Sequence, residues 1–237
     1  MLDDFALESM FFECRYANAY RLWDAAGSIG LALSERYPEI GLSQAEPGAI
    51  QFKLTTRMTA DIRLDRSHIG DHDPTADPEK SAEEIRWMVE TITGLLGIRQ
   101  LTRLGMRSVY VKRFDSKKAT GEYMSKVISV APVEDKYFNV HPLQIWPNIS
   151  FNVEDEDMGY WFRYGAETQV VTVDAGPSVK EVEPYTKDVH KAKIDVDVYT
   201  VKPVDLDSLR VVDWIGLVRR LVRRDAGKIL ARLGNAS

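Results

Sequence analysis

Apolar and polar residues alternate along several segments of this chain, and no other feature constrains its fold as strongly. In "AIQFKLTTRM" the apolar residues Ile50, Phe52 and Leu54 are separated by Gln51 and Lys53. The same period of two continues in "TADIRLDRS" and returns in "KAKIDVDVYTV". Because successive side chains of a β-strand point to opposite faces, each segment predicts a strand with one buried and one solvated face.

Segments with a helical period separate groups of these strands. They predict helices at about residues 18–36, 81–96 and 208–233, and a weaker one at about 116–129. Asn18 is a suitable cap for the first helix. Ser81 and Glu84 have the spacing of a capping box at the start of the second helix.

The order of these elements predicts an α+β protein. A strand and a helix are followed by several strands and a second helix, and then much the same order returns. Because hairpins join consecutive strands, we expect a mainly antiparallel sheet with helices packed on one face. Two similar halves, residues 1–97 and 98–237, would share this sheet in one compact unit.

The cysteine content and the hydropathy of the sequence indicate the cellular compartment in which the protein is expected. No run of 18 or more apolar residues occurs, whereas a helix that spans a bilayer needs about 20. The acidic start "MLDD" does not resemble a signal peptide, so we expect none. Cys14 is the single cysteine and has no partner for a disulfide within the chain. We therefore expect a cytoplasmic protein in which Cys14 is a buried structural thiol.

Positive charge is concentrated near the end of the sequence. Residues 208–237 contain seven Arg and Lys against two Asp, so this segment carries +5 and the rest −10 of the net −5. A basic amphipathic helix binds an anionic membrane, nucleic acid or an acidic partner. A helix that covers the core and carries cations near its C-terminus has the same pattern. The basic residues that we single out are Arg219, Arg220, Arg223 and Arg224.

A second group of arginines is predicted on the sheet face that the helices leave uncovered. It consists of Arg63, Arg103, Arg107 and Arg163, together with Asp61, Asp65, Asp195 and Asp197. A mixture of positive and negative side chains is typical of salt-bridge ladders on a solvated sheet face. The same arginines would also form a groove that selects an anionic ligand or a peptide carboxylate.

The segment "DRSHIGDHD", residues 65–73, holds two of the four histidines. His68, Asp71, His72 and Asp73 are a candidate metal-ligand set for zinc, manganese or iron, and only His141 and His190 remain as further histidine donors. Gly70 and Pro74 disfavour a helix here, so we predict a loop that leaves the preceding strand. No motif for a nucleophile, a phosphate loop or a zinc protease is present. We predict no catalytic residue, no metal ligand and no cofactor.

Three segments together resemble a sporadically distributed prokaryotic family of proteins of similar length. They are "IRLDRSHIG", the helix with Trp87, and the strand Arg103-Leu104-Gly105-Met106-Arg107, and the resemblance extends over about residues 5–205. The family has no established activity. Its patchy distribution resembles that of mobile or defence-linked genes, which implies a partner-binding role. The resemblance also implies that "LDR" belongs to a framework strand.

These observations favour a cytoplasmic, non-enzymatic binding protein that recognises a protein, an anionic partner or a second copy of itself. Two alternatives stay open. One is a metal-dependent hydrolase that uses residues 68–73. The other is a carrier or sensor of a small anionic or amphipathic ligand between sheet and helices, in a pocket lined by the aromatic residues Phe11, Phe12, Trp23, Trp87, Trp161 and Phe162.

Overall fold

The computed structural model describes residues 2–74, 78–128, 148–173 and 185–234, and the fold is that of these residues. It is an α+β fold built on a large antiparallel sheet, as predicted. The helices are α1 (Leu22–Arg36), α2 (Pro78–Leu96), α3 (Lys117–Ile128) and α4 (Val211–Gly234), and a 3₁₀ turn at Leu2–Asp4 precedes the first strand.

The described residues form eleven strands, nine of which make up the main sheet. The first five are β1 (Ala6–Arg15), β2 (Gly41–Glu46), β3 (Ala49–Lys53), β4 (Met58–Arg63) and β5 (Arg66–Asp71). The others are β6 (Gln100–Leu101), β7 (Arg103–Phe114), β8 (Ile149–Glu154), β9 (Met158–Val173), β10 (Tyr185–Thr200) and β11 (Val204–Asp205). The sheet order is β2-β3-β4-β5-β1-β7-β10-β9-β8, and β6 pairs separately with β11.

The two long strands β1 and β7 lie side by side at the centre of the sheet. β5 pairs with the other edge of β1, and β10 pairs with the other edge of β7. After each central strand the chain continues into a helix, further strands and a second helix. The hydrophobic core includes residues from both parts of the chain, among them Phe12, Ile85, Ile194 and Ile215.

The last helix covers the core with its apolar stripe. Val211, Ile215, Val218 and Val222 are at most 4% exposed, and the Trp214 ring packs edge-on against Phe12 at 5.6 Å between centroids. This burial confirms that α4 covers the core. No helix among the described residues is both long and apolar enough to cross a membrane.

Residues 66–71 form strand β5, and the prediction of a loop at His68 was wrong. β5 pairs with β4 on one side and with β1 on the other, so it lies inside the sheet. Its buried positions are Ser67, Ile69, Gly70 and Asp71, and of the three that alternate on the core-facing side, Ser67, Ile69 and Asp71, only Ile69 is apolar. Because two core-facing positions are polar, the alternation that marks the other strands is hidden here. Of "LDR", Leu64 and Asp65 form the turn between β4 and β5, and Arg66 is the first residue of β5.

Both predicted helix caps were also wrong. α2 begins at Pro78, and proline is a favoured residue at the first position of a helix. The Ser81 hydroxyl lies inside the helix and donates to Asp71 Oδ2 at 2.7 Å. α1 begins at Leu22, and no side chain caps it.

Candidate functional site

The face of the sheet opposite the helices carries a cluster of charged and aromatic side chains. Strand register places Phe11 of β1, Arg107 of β7, Asp197 of β10 and Trp161 of β9 in one cross-strand row. The alternate residues of the same strands point into the hydrophobic core. We call this surface the polar sheet face.

Asp195 is the most buried charge of the polar sheet face, at 3% exposure. Arg107 donates to its two carboxylate oxygens from Nε and Nη2, at 2.8 and 2.7 Å. Arg163 Nη2 lies 2.7 Å from the same carboxylate. The hydrogen bonds that Arg107 donates to Asp195 raise the pKa of Arg107 above its ordinary value. Two arginines therefore share one internal carboxylate and are held in fixed orientations.

Arg103 joins two further carboxylates. Its Nη1 donates to Glu13 Oε1 at 2.9 Å and its Nη2 to Asp197 Oδ2 at 2.7 Å. Burial raises the pKa of Asp197 above its ordinary value, although Arg103 opposes this shift. Glu13 also accepts from Arg15 Nε at 2.7 Å and lies 3.4 Å from His68 Nε2. This part of the face is a continuous network that links β5, β1, β7 and β10.

Burial lowers the pKa of His68 below its ordinary value of 6.5, although the nearby carboxylates Glu13 and Asp61 oppose this shift. The imidazole is therefore neutral near pH 7. A neutral His68 has one donor and one acceptor nitrogen on the polar sheet face.

Aromatic rings lie beside the arginines. The Arg103 guanidinium lies 4.1 Å from the centre of the Tyr199 ring, and that of Arg163 lies 4.3 Å from the Trp161 ring. Tyr199 extends across β9 at Gly159, where a Cβ atom would come within 2.3 Å of the ring. Only glycine permits this approach. Trp161 is 42% exposed, the most exposed of the large apolar side chains here.

Two connected hollows follow from this arrangement. A shallow groove of about 160 Å³ runs over the arginine network and past Trp161. Beside it, a hollow of about 600 Å³ is bounded by Arg15, Arg103, Trp161 and Tyr199 together with Ser150, Phe151 and Asn152. Both are open to solvent, so the site has the form of a docking surface and not of a closed pocket.

The structure brings together three of the four arginines predicted on the sheet. Arg103, Arg107 and Arg163 line the groove, whereas Arg63 lies on β4 and pairs with Asp61 at 3.1 Å. The sequence did not indicate that Glu13, His68 or Trp161 belongs to this surface. The signal for Glu13 is the alternation of Phe11, Glu13 and Arg15 with the buried residues of β1, which is visible in the sequence.

The four arginines of α4 that the sequence singled out divide into two groups. Arg219, Arg220 and Arg223 line a second groove of about 710 Å³, which lies on the helix side of the molecule. Arg224 instead pairs with its neighbour Asp225, with an Nη2–Oδ2 distance of 2.6 Å. One basic stretch of sequence thus contributes to a groove and to an exposed ion pair.

No group of three or more His, Cys, Asp or Glu side chains in the described part of the chain is arranged to hold a metal ion. Asp71 faces the core, where Arg57 Nε lies 3.4 Å away, whereas His68 faces the opposite side of β5. His190 Nδ1 lies 3.1 Å from the hydroxyl of Thr168, and His141 lies outside the described residues.

The aromatic residues predicted to line a sheet–helix pocket do not lie around one cavity. Phe12 and Phe162 are core residues at no more than 1% exposure, whereas Trp23 is 61% exposed on α1. Phe11 and Trp161 lie on the polar sheet face. Trp87 packs against Tyr37 on the helix side.

A scan of the sequence against protein-family models found no match, and a search of curated proteins found none either.

Proposed function

We propose that this chain is a non-enzymatic binding protein that docks a partner protein on the polar sheet face. The observation that carries the proposal is an exposed tryptophan beside a partly buried network of arginines and carboxylates. Trp, Tyr and Arg are the residues that most often dominate binding energy at protein interfaces. Here Trp161, Tyr199 and three arginines lie on one open surface.

The internal ion pairs favour a protein partner over a free anion at this surface. Arg107 and Arg163 already hold Asp195, and Arg103 already holds Glu13 and Asp197. A free anion would have to compete with these carboxylates. A protein surface instead presents both positive and negative side chains. Such a surface can complement the alternating arginines and carboxylates of the polar sheet face.

Fixed orientation supports the same role. Each of these arginines loses rotamer freedom when the chain folds, so little further ordering is needed when a partner binds.

The resemblance to a patchily distributed prokaryotic family agrees with a component of a mobile or defence-linked system. Burial raises the pKa of the Cys14 thiol to about 12, which suits a structural cysteine in a reducing cytoplasm.

The test compares two exposed tryptophans. Proteins encoded beside this gene are purified, and their affinities for the wild-type chain, Trp161→Ala and Trp23→Ala are measured by isothermal titration calorimetry. Trp161→Ala should weaken binding by about 2 kcal/mol, or roughly thirtyfold, as expected for a central aromatic residue. Trp23 is the matched control, since it is also exposed but lies on α1.

Binding that Trp23→Ala weakens and Trp161→Ala leaves intact would place the partner on the helix side and contradict the proposal. If the partner bound the wild-type chain, Trp161→Ala and Trp23→Ala with equal affinity, both tryptophans would be excluded from the interface.

A further inference from the structure

The second groove lies between α4, the start of α2 and the 3₁₀ turn before β1. Its volume of about 710 Å³ is within the range of small-molecule sites. Three arginines of α4 and the hydroxyl-bearing Tyr110 provide most of its donors. Apolar residues form much of the remaining wall, namely Leu2, Phe5, Ala6, Leu7, Pro74 and Pro78.

Arg219 is a partly buried cation without a carboxylate partner among the described residues. Its Nη1 donates to the Pro78 carbonyl oxygen at 3.1 Å, and its Nη2 contacts Met10 Sδ at 3.8 Å. Its Nε is buried and has no hydrogen-bond acceptor in the described part of the chain. Burial lowers the pKa of Arg219, and the positive charge of Arg223 adds to this effect.

Buried charges in proteins are normally paired, because an isolated charge loses its hydration without compensation. Asp71 attracts Arg219, but this carboxylate is already bound by Arg57 and Ser81. The exposed carboxylates Asp3 and Glu79 at the rim form no ion pair with Arg219 within the described residues. The charge pattern of the described residues therefore indicates an external anion as the counter-ion.

Two further features concentrate positive charge at the same place. Arg220 and Arg223 line the groove without an ion-pair partner in the described ranges, and like charges four residues apart, as at Arg219 and Arg223, destabilise a helix. The groove also reaches Pro78, the first residue of α2, where the helix dipole is positive. An anion in the groove would relieve the repulsion between the arginines.

We propose that this groove binds a soluble phosphate monoester with an apolar organic part. Guanidinium groups match the geometry of phosphate oxygens and form paired, charge-assisted hydrogen bonds with them. The apolar wall formed by Leu2, Phe5 and Leu7 accommodates the organic part. This site is independent of the partner surface, since Arg219, Tyr110 and Met10 all lie on the helix side of the sheet.

The probe is phenyl phosphate, with inorganic phosphate and phenol as partial ligands. Calorimetric titration near pH 7 should give saturable binding of phenyl phosphate that is tighter than that of inorganic phosphate. Arg223→Ala should weaken it about tenfold or more, the effect of one lost charge-assisted hydrogen bond. The matched control is Arg224→Ala on the same helix, because Arg224 pairs with Asp225, and it should leave the affinity unchanged.

Arg219→Met provides a readout that a structural arginine would not give. Removal of a partly buried charge that has no carboxylate partner among the described residues should leave the thermal midpoint of the ligand-free protein unchanged or raise it, while binding is lost. Phenyl phosphate should raise the thermal midpoint of the wild-type protein and leave that of Arg219→Met unchanged. Trp161→Ala should bind phenyl phosphate normally, which separates this site from the partner surface.

Three results would overturn the proposal. They are the absence of saturable binding at millimolar phenyl phosphate, an equal loss in Arg223→Ala and Arg224→Ala, and binding only to vesicles that contain phosphatidic acid. The last result would identify a lipid surface as the source of the phosphate group. None of the three would affect the prediction for Trp161.

Discussion

Replacement of Asp195 by Asn tests whether the network on the polar sheet face stabilises the fold. Asp195 is 3% exposed and receives Arg107 at two oxygens and Arg163 at one, all within 2.8 Å. Asparagine removes the negative charge and replaces one acceptor oxygen by a donor that faces the guanidinium groups. The two cations then lie close together without the carboxylate between them.

The magnitude follows from the exposure of the partners. Loss of one member of a fully buried ion pair costs about 3–5 kcal/mol, but Arg107 and Arg163 are 41% and 36% exposed and regain water. A hydrogen bond to a charged group contributes about 1.5–3 kcal/mol. We therefore expect Asp195→Asn to lower the free energy of unfolding by about 2–3 kcal/mol, within these ranges.

Urea denaturation, followed by tryptophan fluorescence and by circular dichroism, measures this loss as a lower midpoint at an unchanged slope. The control is Asp157→Asn. Asp157 accepts from Lys202 at 2.8 Å, a similar distance, but is 75% exposed. An exposed pair of this kind contributes little, so the control should unfold at the wild-type urea concentration. Equal midpoints for Asp195→Asn and Asp157→Asn would refute the argument that burial makes this network stabilising.

Three other substitutions probe single contacts. Because burial lowers the pKa of His68 below 6.5, the unfolded chain binds its proton first, and stability contributed by the neutral imidazole should decline as the pH falls below about 6.5. His68→Gln should flatten the decline of the urea midpoint between pH 7 and pH 5, and an identical pH profile would contradict this. Gly159→Val should displace the Tyr199 ring, which near-UV circular dichroism detects, and a stabilised protein with an unchanged spectrum would exclude the close approach. Ser81→Ala leaves the buried Asp71 carboxylate one donor short and should cost about 1–3 kcal/mol in urea denaturation, whereas a neutral effect would show that Arg57 suffices.

Most of the fold was visible in the sequence because alternation and helical periodicity are local properties. Strands β3, β4 and β10 and helices α1 and α4 lie close to the predicted positions, and the antiparallel α+β class follows from their order. β5 was missed because Ser67 and Asp71 occupy core-facing positions. Asp71 is satisfied by contacts that its own strand does not supply, such as the hydrogen bond that Ser81 of α2 donates to it.

The sequence predicted which arginines belong to the candidate surfaces, but not which side chains contact them. The sequence indicated that Arg103, Arg107 and Arg163 share one sheet face. It did not indicate that Glu13 lies beside Arg103, because 90 residues separate them along the chain. That contact arises only when β1 and β7 pair in their particular register.

The sequence by itself determined which faces of the strands and helices are apolar and that positive charge collects in the last helix. Periodicity sets these properties, and periodicity is independent of what packs against each element. Only the tertiary structure decided the environment of each charge. Arg223 and Arg224 are neighbours in sequence, yet they lie about 100° apart around the helix axis. One of them therefore faces the groove at the start of α2, and the other pairs with Asp225.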